Sequence, residues 1–103
     1  MRACKFGRST GYTEGLIDSI GGDYRVKLSP EHDPRIWRFT NQIRIVPSKS
    51  RKPFALEGDS GALILELSTN RPVGLFFSGA KDGSYGLANP IQAVTNALGI
   101  RLA

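Results

Sequence analysis

Tyr24, Val26 and Leu28 alternate with Arg25 and Lys27, and Trp37, Phe39, Ile43 and Ile45 fall on odd positions among Arg38, Thr40, Gln42 and Arg44. A period of two puts each apolar set on one face of an extended chain, so both segments read as half-buried strands. Between them Ser29-Pro30-Glu31-His32-Asp33-Pro34 carries two prolines and short side-chain acceptors, which is loop chemistry. Upstream, Gly21-Gly22-Asp23 reads as a hairpin turn between a segment ending near Ile20 and the Tyr24 strand. The runs Ala62 to Leu67 and Val73 to Phe77 are nearly continuous in apolar residues. They are expected as more fully buried strands joined by the polar Ser68-Thr69-Asn70-Arg71-Pro72 turn. A further turn at Lys81-Asp82-Gly83-Ser84 leads into a short strand over Tyr85 to Ala88. There the period changes, because Ile91, Val94, Ala97 and Leu98 recur at helical spacing. Asn89 is the expected N-cap acceptor, Pro90 the first helical residue and Gly99 the left-handed stop.

These elements predict an all-β domain over 1–103: a six-stranded antiparallel β-barrel with a short C-terminal helix, an open sandwich being the alternative packing. Composition agrees, since 12 Gly and 6 Pro in 103 residues suit many short strands better than a few long helices. The longest uninterrupted apolar stretch, Ala62 to Leu65, is far short of the roughly 20 residues of a membrane-spanning helix. Arg2 to Phe6 contain no apolar run of a secretory signal, and the single Cys4 has no internal partner for a disulfide. A reducing, cytoplasmic setting is therefore favoured and no membrane association is expected. The formal charge of +5 raises phosphate binding by counterion release. Yet Arg35, Arg38 and Arg44, then Lys49, Arg51 and Lys52, are loosely spread with few aromatic neighbours to stack bases. They read as solvated surface, and a nucleic acid partner is not favoured.

The segment that carries chemistry is Gly58-Asp59-Ser60-Gly61, in a loop that runs into the Ala62 strand. Acyl transfer needs a serine Oγ presented to a carbonyl with backbone N–H groups facing the developing oxyanion, and a glycine before the serine permits that backbone. The lipase-type elbow does not fit, because it needs glycine two residues after the serine, where Ala62 stands, and a helix where a strand follows. Taken alone, the tetrapeptide also reads as a turn between strands.

Three further stretches accompany it, and together they resemble the C-terminal half of the trypsin-like (chymotrypsin-fold) serine proteases over most of the chain. Gly58-Asp59-Ser60-Gly61 looks like the nucleophile loop, Val73-Gly74-Leu75-Phe76-Phe77-Ser78-Gly79 like the strand that walls the primary pocket, and Gly86 to Pro90 with its helix like the end of the fold. Lys5 to Gly15, containing Gly7-Arg8-Ser9-Thr10-Gly11, resembles the opening of the second barrel in disulfide-free relatives. The resemblance implies Ser60 as nucleophile, the Gly58 and Ser60 amides as oxyanion hole, and Phe77, Ser78 and Gly79 as the edge that aligns a polypeptide substrate. It also puts Phe54, six residues before Ser60, at the base of the primary pocket, which implies small or apolar rather than basic substrate side chains. Asp59 is implied to be buried, with a partner the sequence does not reveal.

The same resemblance assigns the general base and its orienting acid to an N-terminal barrel, on the same or a separate chain, that these residues do not supply. His32 lies in the proline-bounded loop in no family motif, and Asp33 beside it points to the opposite side of an extended chain. The 103 residues alone are thus expected to be catalytically silent and to expose apolar surface that promotes self-association. No metal or organic cofactor is implied. The alternative is a non-catalytic pseudoprotease barrel that binds peptide or nucleic acid.

Overall fold

A computed structural model describes residues 1–26, 36–48 and 52–99. Six strands, β1 (Arg2–Gly7), β2 (Gly11–Val26), β3 (Trp37–Pro47), β4 (Leu63–Glu66), β5 (Pro72–Gly79) and β6 (Gly86–Pro90), precede one helix, α1 (Ile91–Leu98). All pairings are antiparallel and the order β1-β2-β3-β6-β5-β4 closes on itself where β4 meets β1. Closure removes the free sheet edges that a sandwich would leave. The alternation seen in the sequence sets the inner face: Ala3 pairs with Gly15 and Lys5 with Thr13, and all four are buried. Ala3, Ile43, Ile45, Phe54, Ala55, Ile64, Phe76 and Ala88 fill the barrel.

Gly21-Gly22-Asp23 is not a turn. β2 runs through it as one strand of 16 residues, and its register against β3 shifts between Ile17 and Ser19, between Ser19 and Gly22, and between Gly22 and Tyr24. Gly21 adopts φ +77°, a left-handed conformation that glycine tolerates without steric penalty, so the glycine pair bends the strand rather than reversing it. The Tyr24 segment therefore continues β2. The Ser29 to Pro34 loop, with Leu28, lies outside the described residues.

Two other expectations change. β4 is less buried than its apolar run suggested, because Ile64 points into the core while Leu63 on the alternate face is 37% exposed. At the helix, Pro90 rather than Asn89 is the N-cap, and no side chain caps the first turn. Asn89 Oδ1 instead accepts a hydrogen bond of 3.0 Å from Gln42 Nε2, which ties the start of α1 to β3. Gly99 closes the helix in the left-handed conformation as anticipated, at φ +66°.

Gly15 has no room for a side chain. A Cβ there would lie 2.6 Å from Phe54 Cδ1 and 2.7 Å from the Val46 carbonyl oxygen. Because the backbone oxygen cannot swing away, Gly15→Ala is expected to lower stability by about 1–3 kcal/mol, the usual range for overpacking. Urea denaturation checks this, and an unchanged midpoint contradicts it.

Candidate active site

The loop between Phe54 and β4 is fixed at both ends. Thr13 Oγ1 on β2 donates to the Phe54 carbonyl at 2.6 Å, and Gly61 N donates to the Phe76 carbonyl of β5 at 2.8 Å. Between these anchors the chain curls, with Asp59 N donating to Leu56 O at 3.0 Å. The curl needs left-handed backbone at Gly58, φ +99°, and at Gly61, φ +91°. Any Cβ at Gly58 would also collide with Ser9 Oγ. Ser60 is left exposed, its Oγ donating to the Phe77 carbonyl at 3.3 Å, a long and weak bond. Among the described residues, neither the Gly58 nor the Ser60 amide has an acceptor.

Asp59 is what bends the loop inward, and its side chain is only 1% exposed. Its Oδ1 accepts from Ser9 N at 2.7 Å and Thr10 N at 3.1 Å. Its Oδ2 accepts from Thr10 Oγ1 at 2.8 Å and Leu56 N at 2.9 Å. Burial is the largest single influence on the carboxyl and pushes its pKa up. The donors from Leu56, Thr10 and Ser9 together outweigh it and hold the pKa below the ordinary value. Beneath this cluster lies Lys5, 1% exposed, with Nζ donating to Thr10 Oγ1 at 2.6 Å and to Gly11 O at 3.0 Å, and 5.5 Å from the centre of the Phe54 ring. Burial draws the ammonium pKa down and the Asp59 charge opposes it, the net being below the usual lysine value.

Ser60 stands at the rim of a cleft of about 620 Å³ whose walls include Leu56, Glu57, Phe77, Ser78 and Gly79. The structure thus brings Ser60, Phe77, Ser78 and Gly79 together. Phe54 is fully buried in the barrel, against Gly15 and the Lys5 ammonium, and is not among the residues lining this cleft. Its ring is drawn into the space that Gly15 leaves open, and the cleft instead meets the core at Ala55 and Phe76. His32 and Asp33 lie outside the described residues. The described residues hold no cluster of metal-ligating side chains, and no helix among them is long and apolar enough to cross a membrane.

Solved structures share this arrangement of strands. Cellulomonas bogoriensis chymotrypsin superposes on 99% of the chain with a TM-score of 0.69 at 24% identity, and Thermobifida fusca protease A on 99% with 0.75 at 23%. The fold is that of a single trypsin-like protease barrel. A glutamic acid-specific serine protease superposes on 96% of the chain, with a TM-score of 0.69 at 16% identity. The chain spans 49%, 48% and 46% of those three proteins, in that order. Among curated proteins, rice (Oryza sativa subsp. japonica) Protein NARROW LEAF 1 is 34% identical over 82 residues, which is 76% of this chain and 13% of that protein. No family profile matches the sequence.

Sequence reasoning missed Lys5, Ser9 and Thr10 as the support of the trypsin-like loop. A signal for Lys5 was present, since the period of two puts it on the face of Ala3 and Gly7, inside the barrel. Ser9 and Thr10 carried none, because turn residues show no period.

Asp59 couples this loop to pH. Its folded pKa lies below that of the unfolded chain, so its charge stabilises the fold above the unfolded value of about 3.9 and that contribution is lost as pH falls through the folded value. Asp59→Asn keeps the size but turns an amide N–H₂ toward N–H and O–H donors. It is expected to cost about 2–4 kcal/mol at pH 7, in line with loss of charge-assisted hydrogen bonds, and to flatten the acid limb of stability below about pH 4. Thermal denaturation from pH 2 to pH 7 measures both effects.

Proposed function

We propose that this chain is the nucleophile-bearing half of a trypsin-like serine endopeptidase. The observation that carries the reading is the pair of unclaimed amides at Gly58 and Ser60, set beside an exposed Ser60 hydroxyl at the rim of a cleft. Amides with no internal acceptor, held by a buried carboxylate, are what a developing oxyanion requires. In the reaction a base takes the Ser60 Oγ proton as the oxygen attacks the peptide carbonyl. The tetrahedral oxyanion rests on the Gly58 and Ser60 amides. The base then gives its proton to the departing amine, leaving an acyl-serine that water hydrolyses by the same steps.

The resemblance to trypsin-like proteases assigns the base and the acid that orients it to an N-terminal barrel, on this polypeptide or another, and on this reading the 103 residues alone are inactive. Two further observations favour this. The chain spans about half of the solved proteases it matches. On the β1–β2 hairpin, Phe6 and Tyr12 pack with ring centres 5.0 Å apart at a tilt of 50°, and Phe6 is 76% exposed. On this reading the pair belongs to the surface that meets the N-terminal barrel. The cleft meets the core at the apolar residues Ala55 and Phe76, which favours small or apolar substrate side chains over Lys and Arg.

A serine-directed fluorophosphonate tests the nucleophile. The longest natural chain containing this segment is expected to label, its Ser60→Ala variant and the isolated 103 residues are not. If none labels, the barrel is a binding module and the loop a turn. Sedimentation of the isolated chain is expected to show concentration-dependent association that Phe6→Ser reduces; a clean monomer at all concentrations removes the partner surface.

A further inference from the structure

The cleft beside Ser60 is apolar where it meets the core, but two of its lining residues carry charge: Glu57, next to Gly58, and Lys81, in the turn between β5 and β6. Both residues are exposed, and among the described residues neither side chain has an ionic partner. The turn that carries Lys81 is nonetheless fixed by its own bonds. Gly83 N donates to Ala80 O at 3.0 Å, Ala80 N to Tyr85 O at 3.1 Å, and Ser84 N to Asp82 Oδ1 at 2.9 Å. Gly83 is buried at φ +77°, and a Cβ there would collide with Pro53, so the turn is seated against the segment that leads into the nucleophile loop. An unpaired cation is thereby held at a set place on the cleft wall. Its acidic neighbour, Asp82, is used by the turn itself and is not among the residues lining the cleft. We propose that Lys81 is a specificity-determining residue, selecting polypeptide substrates that carry a Glu or Asp near the cleaved residue.

The placement separates the charged residue of the substrate from the cleaved one. Ser60 Oγ bonds to the Phe77 carbonyl, which sets the attacking oxygen at the start of the Phe77, Ser78, Gly79 edge. Lys81 follows that edge by two residues, and a strand advances about 3.3 Å per residue. One substrate side chain enters the apolar base at Ala55 and Phe76, and a different one, about two to four residues away along the edge, reaches the ammonium. Glu57 enforces the same division. It precedes Gly58, whose amide is assigned to the oxyanion, so an acidic side chain at the cleaved position meets a like charge. Water reaches both charges, which limits the selectivity to that of a surface ion pair and makes it sensitive to salt. The inference rests on the protease reading for the bond that is cut; charge selection by the cleft is a property of the barrel itself.

The test uses fluorogenic peptides with Ala at the cleaved position and Glu or Gln at each flanking position in turn. Cleavage is measured with the longest natural chain containing this segment, and binding to its Ser60→Ala variant by fluorescence anisotropy. At one flanking position Glu is expected to exceed Gln by roughly 2–5-fold in kcat/KM and in affinity at low salt, the scale of an exposed ion pair. The ratio is expected to fall toward unity as salt is raised. Lys81→Gln should bring the ratio to unity and Lys81→Glu should invert it, with the Gln peptide little changed; a merely structural role would alter both peptides alike. A ratio of unity at every position in the wild-type chain overturns the proposal, and so does a ratio that neither Lys81 variant moves. Cleavage without charge selection leaves the protease reading standing and removes this one. Charge-selective binding that depends on Lys81, with no peptide cleaved, rejects the protease reading and keeps the selection. Neither cleavage nor binding rejects both.

Discussion

The Asp59 carboxylate is a charge removed from water, and the surrounding structure is organised around making that tolerable. An unpaired buried carboxylate costs several kcal/mol or neutralises itself. Here four donors from two separate segments converge on it. Those donors require the β1–β2 turn to come within bonding distance, which in turn requires that Gly7 present no side chain, since a Cβ there would collide with the carboxylate. Gly58 faces the same demand from Ser9 on the other side of the loop. Gly7 is thus a consequence of the buried anion, whereas Gly58 and Gly61 also serve the left-handed backbone of the curl.

This explains how the exposed and the hidden parts of the loop divide their roles. Asp59 turns inward and takes up amides of Leu56, Ser9 and Thr10, while among the described residues the Gly58 and Ser60 amides on either side of it have no acceptor. A turn stabilised by its own backbone would have spent those donors internally. Ser60 is exposed for the same reason: its neighbour occupies the interior.

Strand periodicity made most of the barrel legible. Ile43, Ile45, Ile64 and Phe76 lie in the core as an alternating pattern dictates. Where the reading failed, a pairwise approach decided the outcome. Gly21 and Gly22 carry turn composition, but pairing of β2 with β3 on both sides of them converts the turn into a bend. Asn89 has the right side chain for a cap, but Gln42 on a neighbouring strand claims its oxygen. Phe54 matches the position of a pocket base, but the absence of a side chain at Gly15 draws its ring into the core. Each depends on a residue 20 to 50 positions away or on backbone geometry, which composition and spacing do not encode. The candidate site was legible as a tetrapeptide in the right company. The contacts of Ser9 and Thr10 with Asp59 were not, because they span 50 and 49 positions of sequence.

The bond from Ser9 to Asp59 joins residues 50 apart in sequence, and the seam between β1 and β4 joins Ala3 to Glu66. Neither can form early, because closing so long a stretch of chain loses conformational entropy before any contact offsets it. The seam and the loop share β1 and its turn, so both depend on the same long-range closure. A partly folded barrel, whether newly made or transiently opened, would then have its serine in a floppy loop with no oriented amides. The geometry of the loop around Ser60 therefore depends on the same long-range closure that completes the barrel.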